Sequence, residues 1–261
     1  MDLGLKDRVF VVTGGSRGLG FASAKAVVAE GAKVVIVARD ESVVAHAVSE
    51  LGGASCAVGL PGDISDPTTA ERVVAGAVAR FGRLDGTVIS TGGPTPGTAM
   101  RTTDDVWRES FEVAFLGPLR IARAVANAAT APEGDVTGTG ASIVFVLSTS
   151  AVEVMSGIST SNGLRPGLAM LVKDLADELA PRGVRVNGLL PGRLATDRMF
   201  ALDARLGAPD MVRRRNEAAI PLGRYGEPDE FGSVAAFLLS PRSSYVTGSL
   251  VAVDGGALRG I

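Results

Sequence analysis

The stretch Val9-Phe10-Val11-Val12-Thr13-Gly14-Gly15-Ser16-Arg17-Gly18-Leu19-Gly20-Phe21 decides the fold. Its first five residues are mostly β-branched or aromatic and read as a strand buried on both faces. They run into a glycine-rich turn and then into an alanine-rich segment that reads as a helix. Glycine permits the tight turn and the close approach of backbone to a ligand. The N-terminus of the helix offers unpaired N–H groups and a partial positive charge, which suits a pyrophosphate. Strand, glycine turn and helix in that order are the context that a dinucleotide fingerprint requires.

The alternation continues along the chain. Strands are expected at Val9 to Thr13, Lys33 to Ala38, Ser55 to Gly59, Gly86 to Ser90, Ser142 to Ser148, Arg185 to Leu190 and Leu250 to Val253. Helices are expected at Gly18 to Glu30, Glu41 to Leu51, Pro67 to Phe81, Asp104 to Ala129, Gly163 to Pro181 and Pro228 to Leu239. This pattern implies an α/β fold: a single-domain Rossmann fold whose doubly wound, seven-stranded parallel sheet carries helices on both faces. With 46% apolar residues, the 261 residues can fill one core, so residues 1–261 are read as one dinucleotide-binding and catalytic domain. Ala131 to Gly140 is a loop by composition. Residues 196–221 interrupt the alternation with mixed apolar and charged residues and read as a substrate lid or as a surface helix pair.

Composition excludes several classes. A formal charge of −2, with Arg213-Arg214-Arg215 as the longest basic run, argues against nucleic acid as a partner. No apolar run approaches the roughly 20 residues that span a bilayer, and Met1 to Asp7 lacks the pattern of a signal peptide, so a cytoplasmic protein without membrane attachment is expected. One cysteine, Cys56, and one histidine, His46, leave no disulfide framework and no histidine-based metal site.

Several further motifs accompany the Thr13, Gly14, Gly18, Gly20 spacing. They are Gly62-Asp63, Gly92-Gly93, Ser148, Arg182 to Asn187, Pro191-Gly192 with Thr196, Arg224 to Pro228, and Val246-Thr247-Gly248 ahead of Val253 to Gly256. Together they resemble the short-chain dehydrogenase/reductase family over nearly the whole chain. The resemblance implies that Asp63 approaches the adenine, that Gly92 lies along the cofactor and that Thr196 contacts the nicotinamide carboxamide. It also implies dinucleotide contacts from Gly14, Ser16, Arg17, Gly18, Leu19, Gly20, Ile64, Arg165, Pro191 and Gly192. A homo-oligomer, tetramer or dimer, is implied as well.

Cofactor choice follows from the end of the second strand, where an acidic residue would hold a ribose 2′-hydroxyl and repel a 2′-phosphate. That position reads Ala38-Arg39. Arg39 can pair with a phosphate and Arg17 can approach the same group, so NADP(H) is favoured over NAD(H), with Asp40 counting against it.

In the family a serine polarises the substrate carbonyl, a tyrosine transfers the proton, a lysine four residues later supports it and an asparagine upstream completes a relay. Counting back from Arg182 to Asn187 puts the tyrosine position on Ser161 and the lysine position on Arg165, with Ser148 at the serine spacing and Ala114 at the asparagine. The chain's two tyrosines, Tyr225 and Tyr245, lie elsewhere. Ser-Asn-x-x-Arg thus stands in place of Tyr-x-x-x-Lys, as in a divergent branch of the family. Arg165 can serve as cation and ribose anchor. Ser161 carries a far less acidic hydroxyl on a shorter side chain, reaching a substrate directly or through water. Pro166 inside the following helix argues for a helix start near Ser161 or a kink. The leading expectation is an NADP(H)-dependent oxidoreductase acting on a small carbonyl or alcohol, with Ser148, Ser161 and Arg165 as catalytic residues and no metal. A catalytically impaired dinucleotide-binding protein, or a different reaction on the bound cofactor, remain open alternatives.

Overall fold

The computed structural model describes residues 2–93, 95–128 and 140–260. The loop expected at Ala131 to Gly140 lies outside them except for Gly140. Seven strands form one parallel sheet: β1 (Val9–Thr13), β2 (Lys33–Ala38), β3 (Ala57–Pro61), β4 (Gly86–Ile89), β5 (Ser142–Val146), β6 (Arg185–Pro191) and β7 (Leu250–Val253). Their spatial order is β3-β2-β1-β4-β5-β6-β7. The chain therefore winds outward from β1 to β3, returns to β4 beside β1, and winds outward again. That reversal opens a crevice at the carboxyl ends of β1 and β4, the place where doubly wound sheets take ligands.

Side-chain alternation explains why both faces of the sheet are covered. Val9 and Val11 pack into a core with Val73 of α3 (Thr69–Phe81), Ile121 and Val125 of α5 (Gly117–Ala128), and Leu168 and Val172 of α6 (Ser159–Leu179). Phe10 and Val12 point the other way, onto Ala24 and Val27 of α1 (Gly18–Ala29) and Phe231 and Ala235 of α9 (Pro228–Leu239). A strand with no solvated face has no need of polar positions, hence the unbroken apolar run. The remaining helices are α2 (Glu41–Glu50), α4 (Asp104–Phe111), α7 (Asp197–Arg205) and α8 (Pro209–Ala218).

Three differences from the sequence reading stand out, and the other element ends shift by at most two residues. β3 starts at Ala57 because Gly52 and Gly53 adopt positive φ and lead into a short 3₁₀ turn over Gly53–Ser55. The helix expected over Asp104 to Ala129 is broken by a π-turn at Glu112–Leu116. α6 begins at Ser159 and runs through Pro166 without interruption, so Ser161 lies in its first turn and the cap position is Ile158.

Residues 197–218 form the helix pair α7 and α8, held to the body by a buried polar cluster. Tyr225 donates its hydroxyl to Asp203 Oδ2 at 2.7 Å, and Asn216 Nδ2 donates to Asp203 Oδ1 at 3.1 Å and to the Tyr225 hydroxyl at 2.9 Å. Burial, then the bond to Asp203, pushes the Tyr225 phenol above its ordinary pKa. No helix among the described residues is long and apolar enough to cross a membrane.

Candidate active site

The glycine turn after β1 is shaped by close backbone packing. Gly14 sits at φ 56°, and a Cβ there would stand 2.7 Å from the Ser90 carbonyl oxygen. One on Gly20 would stand 2.4 Å from the Gly14 carbonyl oxygen. Thr13 Oγ1 donates to the Ser90 carbonyl at 2.8 Å, tying the start of the turn to the end of β4. α1 has no acidic residue in its first turn, so the positive end of its dipole is left for a ligand. Across the crevice, Thr196 caps α7 by accepting from Met199 N at 3.3 Å. Its Cγ2 lies 3.7 Å from where a Gly18 Cβ would be, so the two rims approach each other. Pro191 ends β6, and Gly192 N donates to the Val253 carbonyl.

The outer end of the crevice carries the charges. Arg17 and Arg39 are exposed, one before α1 and one after β2. Asp40 is committed locally: its Oδ1 accepts from Ser42 Oγ at 2.6 Å and from Val43 N at 3.1 Å, capping α2. Those bonds, the Ser42 hydroxyl foremost, hold its carboxyl below the usual range, and Arg17 adds to the effect. Asp63 Oδ1 accepts from Ser65 N at 2.9 Å and Ser65 Oγ at 2.7 Å, which fixes the turn that carries Ile64.

The inner end is built by the first turns of α6 and the loops after β4 and β5. Ser161 and Arg165 stand four residues apart on one helix and share a face. Arg165 is buried, at 3% exposure, and donates from Nη1 to the Val146 carbonyl at 3.0 Å and from Nη2 to Thr91 Oγ1 at 3.0 Å. It makes no salt bridge among the described residues, and its Nε has no hydrogen-bond partner. Burial, then Arg198, lowers its pKa to about 10. A buried cation held by neutral oxygens keeps most of its positive potential for whatever enters beside it.

No hydrogen bond joins Ser148 to Ser161 among the described residues; Ser150 is bonded to both. Ser150 Oγ and Ser161 Oγ are 2.8 Å apart, both nearly fully buried, while Ser150 N donates to Ser148 Oγ at 3.1 Å. Two hydroxyls sharing one bond still own a second proton, which can be donated onward. Ser148 is half-buried and keeps its own O–H for another acceptor. Asn162 clamps the loop in front: its Nδ2 donates to the Met155 carbonyl at 2.7 Å and its Oδ1 accepts from Met155 N at 3.1 Å. Gly163 lets Trp107 pack on α6, since a Cβ there would lie 2.7 Å from the indole. Ala114 is buried within the π-turn, a geometry often retained at functional sites.

Four residues here were not singled out from sequence. Ser150 could have been found from the Ser-Thr-Ser repeat after β5, and Thr91 from its place beside Gly92. Asn162 and Arg198 carry no local signal, because their partners come from other loops. The hollow between α7 and α8, lined by Leu206, Ala208, Met211 and Arg215, contains none of the residues of this site.

The family model for enoyl-(acyl carrier protein) reductase matches residues 14–257. Dehydrogenase/reductase SDR family member 4 of Homo sapiens is 34% identical over 257 residues, covering 97% of this chain and 88% of its own length. The 3-oxoacyl-acyl-carrier-protein reductase FabG of Salmonella typhimurium is 33% identical over 254 residues, covering 97% and 98%. L-sorbose reductase from Gluconobacter frateurii, solved with NADPH and L-sorbose, superposes with a TM-score of 0.90 at 27% identity, covering 100% of both chains. With the crevice, the glycine turn and these relatives in agreement, the chain belongs to the short-chain dehydrogenase/reductase family and is an oxidoreductase.

Proposed function

We propose that the protein is an NADP(H)-dependent oxidoreductase that moves hydride between nicotinamide and the carbonyl or alcohol carbon of a small substrate. One observation carries the reading: the buried Arg165 cation is tied to Thr91, beside a glycine whose α-carbon faces open space, for nothing lies within 4 Å of a Gly92 Cβ. That open strip continues the glycine turn of β1, and its shape and charge fit a dinucleotide. Gly14, Ser16, Gly18, Leu19 and Gly20 would cradle the phosphates, Asp63 and Ile64 the adenine, and Gly92, Arg165, Pro191, Gly192 and Thr196 the nicotinamide half. Bound there, the nicotinamide would supply or accept the hydride.

The residues of the chain do the rest. Arg17 and Arg39 flank the adenosine end and suit a 2′-phosphate, while Asp40 is engaged in capping α2. Two relatives support this choice, since L-sorbose reductase and an actinorhodin polyketide ketoreductase were both solved with NADPH. Ser148 polarises the substrate oxygen through its free O–H. In the reducing direction the substrate oxygen would take a proton from Ser150 as Ser150 takes one from Ser161, with water restoring the Ser161 proton, and oxidation would run the same chain in reverse. Arg165 holds a ribose and favours negative charge at the reacting oxygen. This is the divergent form of the family site, with serine and arginine where a tyrosine and a lysine are usual. The burial of Ser161 favours a second reading within the same frame, in which proton transfer is weakened and turnover is slow. Residues 196–221 serve as the lid, and the whole chain as one domain. The last strand and helices α4 to α6 would carry a homodimer or tetramer in the cytoplasm; β7 is an edge strand, and Tyr245 and Met170 are exposed near those elements.

The test is thermal shift followed by turnover. NADPH at about 100 times its Kd should stabilise the protein by about 2.7 kcal/mol, and NADH should do so only at higher concentration. Arg39→Asp should invert that order. A carbonyl panel should then consume NADPH. Failure of both dinucleotides to bind at millimolar concentration would overturn the proposal.

A further inference from the structure

We infer that Thr91 is a positioning residue of the dinucleotide site: its hydroxyl aims the Arg165 guanidinium, and NADPH affinity depends on that hydroxyl only through the cation. The inference rests on the proposed function and adds a residue to it.

Three neighbouring strands end in one row. Ile89 of β4 is in register with Thr13 of β1 on one side and with Phe145 of β5 on the other. Thr91 follows two residues past Ile89 and is half-buried. Its backbone is held from the β1 side, where the Ser90 carbonyl accepts from Thr13 Oγ1 at 2.8 Å and packs against Gly14 so closely that a Cβ there would stand 2.7 Å from its oxygen. From the β5 side comes Arg165, with Nη1 on the Val146 carbonyl and Nη2 on Thr91 Oγ1, each at 3.0 Å. Two acceptors on two different nitrogens fix the plane of a guanidinium, whereas one alone leaves it free to turn about the bond that remains. The Val146 carbonyl is main chain and present whatever side chain stands there. Thr91 Oγ1 is therefore the acceptor that a choice of residue supplies, and no other side chain among the described residues accepts from Arg165. Threonine suits the task, because its branched Cβ restricts χ1 and so holds the oxygen in place. Arg165 is 3% exposed and its Nε already lacks a partner, so loss of that oxygen would leave a second buried nitrogen without an acceptor. Gly92, next in the chain, leaves the strip beside Thr91 open. A guanidinium bonds a ligand well only when its fork is held in the matching plane, which is what the Thr91 hydroxyl contributes.

The test is a double-mutant cycle read in binding. NADPH Kd is measured for wild type, Thr91→Val, Thr91→Ser, Arg165→Met and the Thr91→Val/Arg165→Met double variant, with the melting temperature of each ligand-free protein. Valine keeps the shape of threonine and removes the hydroxyl. Thr91→Val should raise the Kd about 10-fold in the wild-type background, Thr91→Ser by less than about threefold because the acceptor remains, and Thr91→Val by less than about twofold once Arg165 is methionine. A merely structural role would not give that difference: a loosened loop would weaken binding by the same factor in both backgrounds, and that result overturns the inference. An unchanged Kd in Thr91→Val overturns it as well, as does Thr91→Ser binding as weakly as Thr91→Val. If Thr91→Val does not fold, Thr91→Ala takes its place with the same expectations, and failure of both to fold overturns the inference by making the hydroxyl a requirement of the fold. A wild type that binds neither NADPH nor NADH at millimolar concentration overturns the proposed function and the inference together, whereas any of the preceding failures in a protein that binds NADPH overturns the inference alone.

Discussion

Removing the hydroxyl of Ser161 should cost stability and turnover together, and removing that of Ser150 as well should restore much of the stability and none of the turnover. The two oxygens are 2.8 Å apart at 4% and 3% exposure, so neither has ready access to water. Ser161→Ala leaves the Ser150 hydroxyl without that partner, a penalty of about 1–3 kcal/mol for a buried polar group. Ser150→Ala leaves Ser161 in the same position, at similar cost. In the double variant no orphan remains, and the loss should be well below the sum of the singles, a coupling of about 1–2 kcal/mol. At about 2–4 °C per kcal/mol for a chain of this size, each single variant should melt about 2–12 °C lower. Catalysis follows a different rule. If the pair relays a proton, either single variant breaks the chain, and kcat should fall by about 10²- to 10⁴-fold in both singles and in the double alike. Differential scanning fluorimetry and steady-state kinetics on the four proteins supply both readouts. Singles that melt with wild type would refute the buried pair, and singles that turn over with wild type would remove Ser161 from the mechanism.

Three further outcomes follow from other parts of the fold. Glu230 pairs with Arg224 at 2.7 Å and accepts from Glu227 N at 2.7 Å, and these contacts, Arg224 foremost, hold its pKa at about 2 against the ordinary 4.5. Its carboxylate therefore stabilises the fold above about pH 4.5 and loses that role as pH falls toward 2, so the melting gap between wild type and Glu230→Gln should be open at pH 6 and close across that window; a gap constant with pH would show that the ion pair contributes nothing. Gly20→Ala places a methyl 2.4 Å from the Gly14 carbonyl oxygen, and the shift it forces should abolish the NADPH-induced rise in melting temperature; a full rise would refute the tight packing of that turn. Tyr225→Phe removes the 2.7 Å donor to the buried Asp203 and should cost about 1.5–3 kcal/mol, with hydrogen exchange accelerated over residues 197–218; unchanged protection there would show that this cluster does not hold the helix pair.

The parts of the fold legible in the sequence were those set by short-range periodicity. Val9 to Thr13 and Lys33 to Ala38 read as strands because both of their faces are buried, and Gly18 reads as a helix start because the glycine turn precedes it. Ser55 to Gly59 misled because small residues carry no period, and positive φ at Gly52 and Gly53 started a turn instead. Asp104 to Ala129 read as one helix because the π-turn keeps the chain helical and alters only the local hydrogen-bond spacing. The helix span set at Gly163 starts too late, whereas the start near Ser161 argued from Pro166 lies two residues from the observed Ser159. For the candidate site, the family resemblance pointed to Ser148, Ser161 and Arg165 as positions to inspect, but the direction of each hydroxyl could not be read from it. Those directions depend on residues brought in from a different loop, and a single sequence has no term for them.

On the function proposed above, geometry also offers a reason for Ser161 and Arg165 to stand together at the positions that the family resemblance assigns to a tyrosine and a lysine. A serine oxygen one bond from Cβ stays within the first turn of α6 and meets Ser150, so it cannot deliver a proton to the crevice unaided. A lysine beside it would offer a single ammonium on a flexible stem. Arginine instead spans from the Val146 carbonyl to Thr91 with two of its nitrogens, fixing the end of β5 to the loop after β4. Short hydroxyl chemistry needs its neighbours held still, because each added link in a relay must keep hydrogen-bond distance at the moment of transfer. Under that proposal, a rigid, two-ended cation next to a recessed hydroxyl pair would substitute for a long phenol next to a mobile ammonium. The exchange of one residue without the other would leave either a relay without a frame or a frame without a relay.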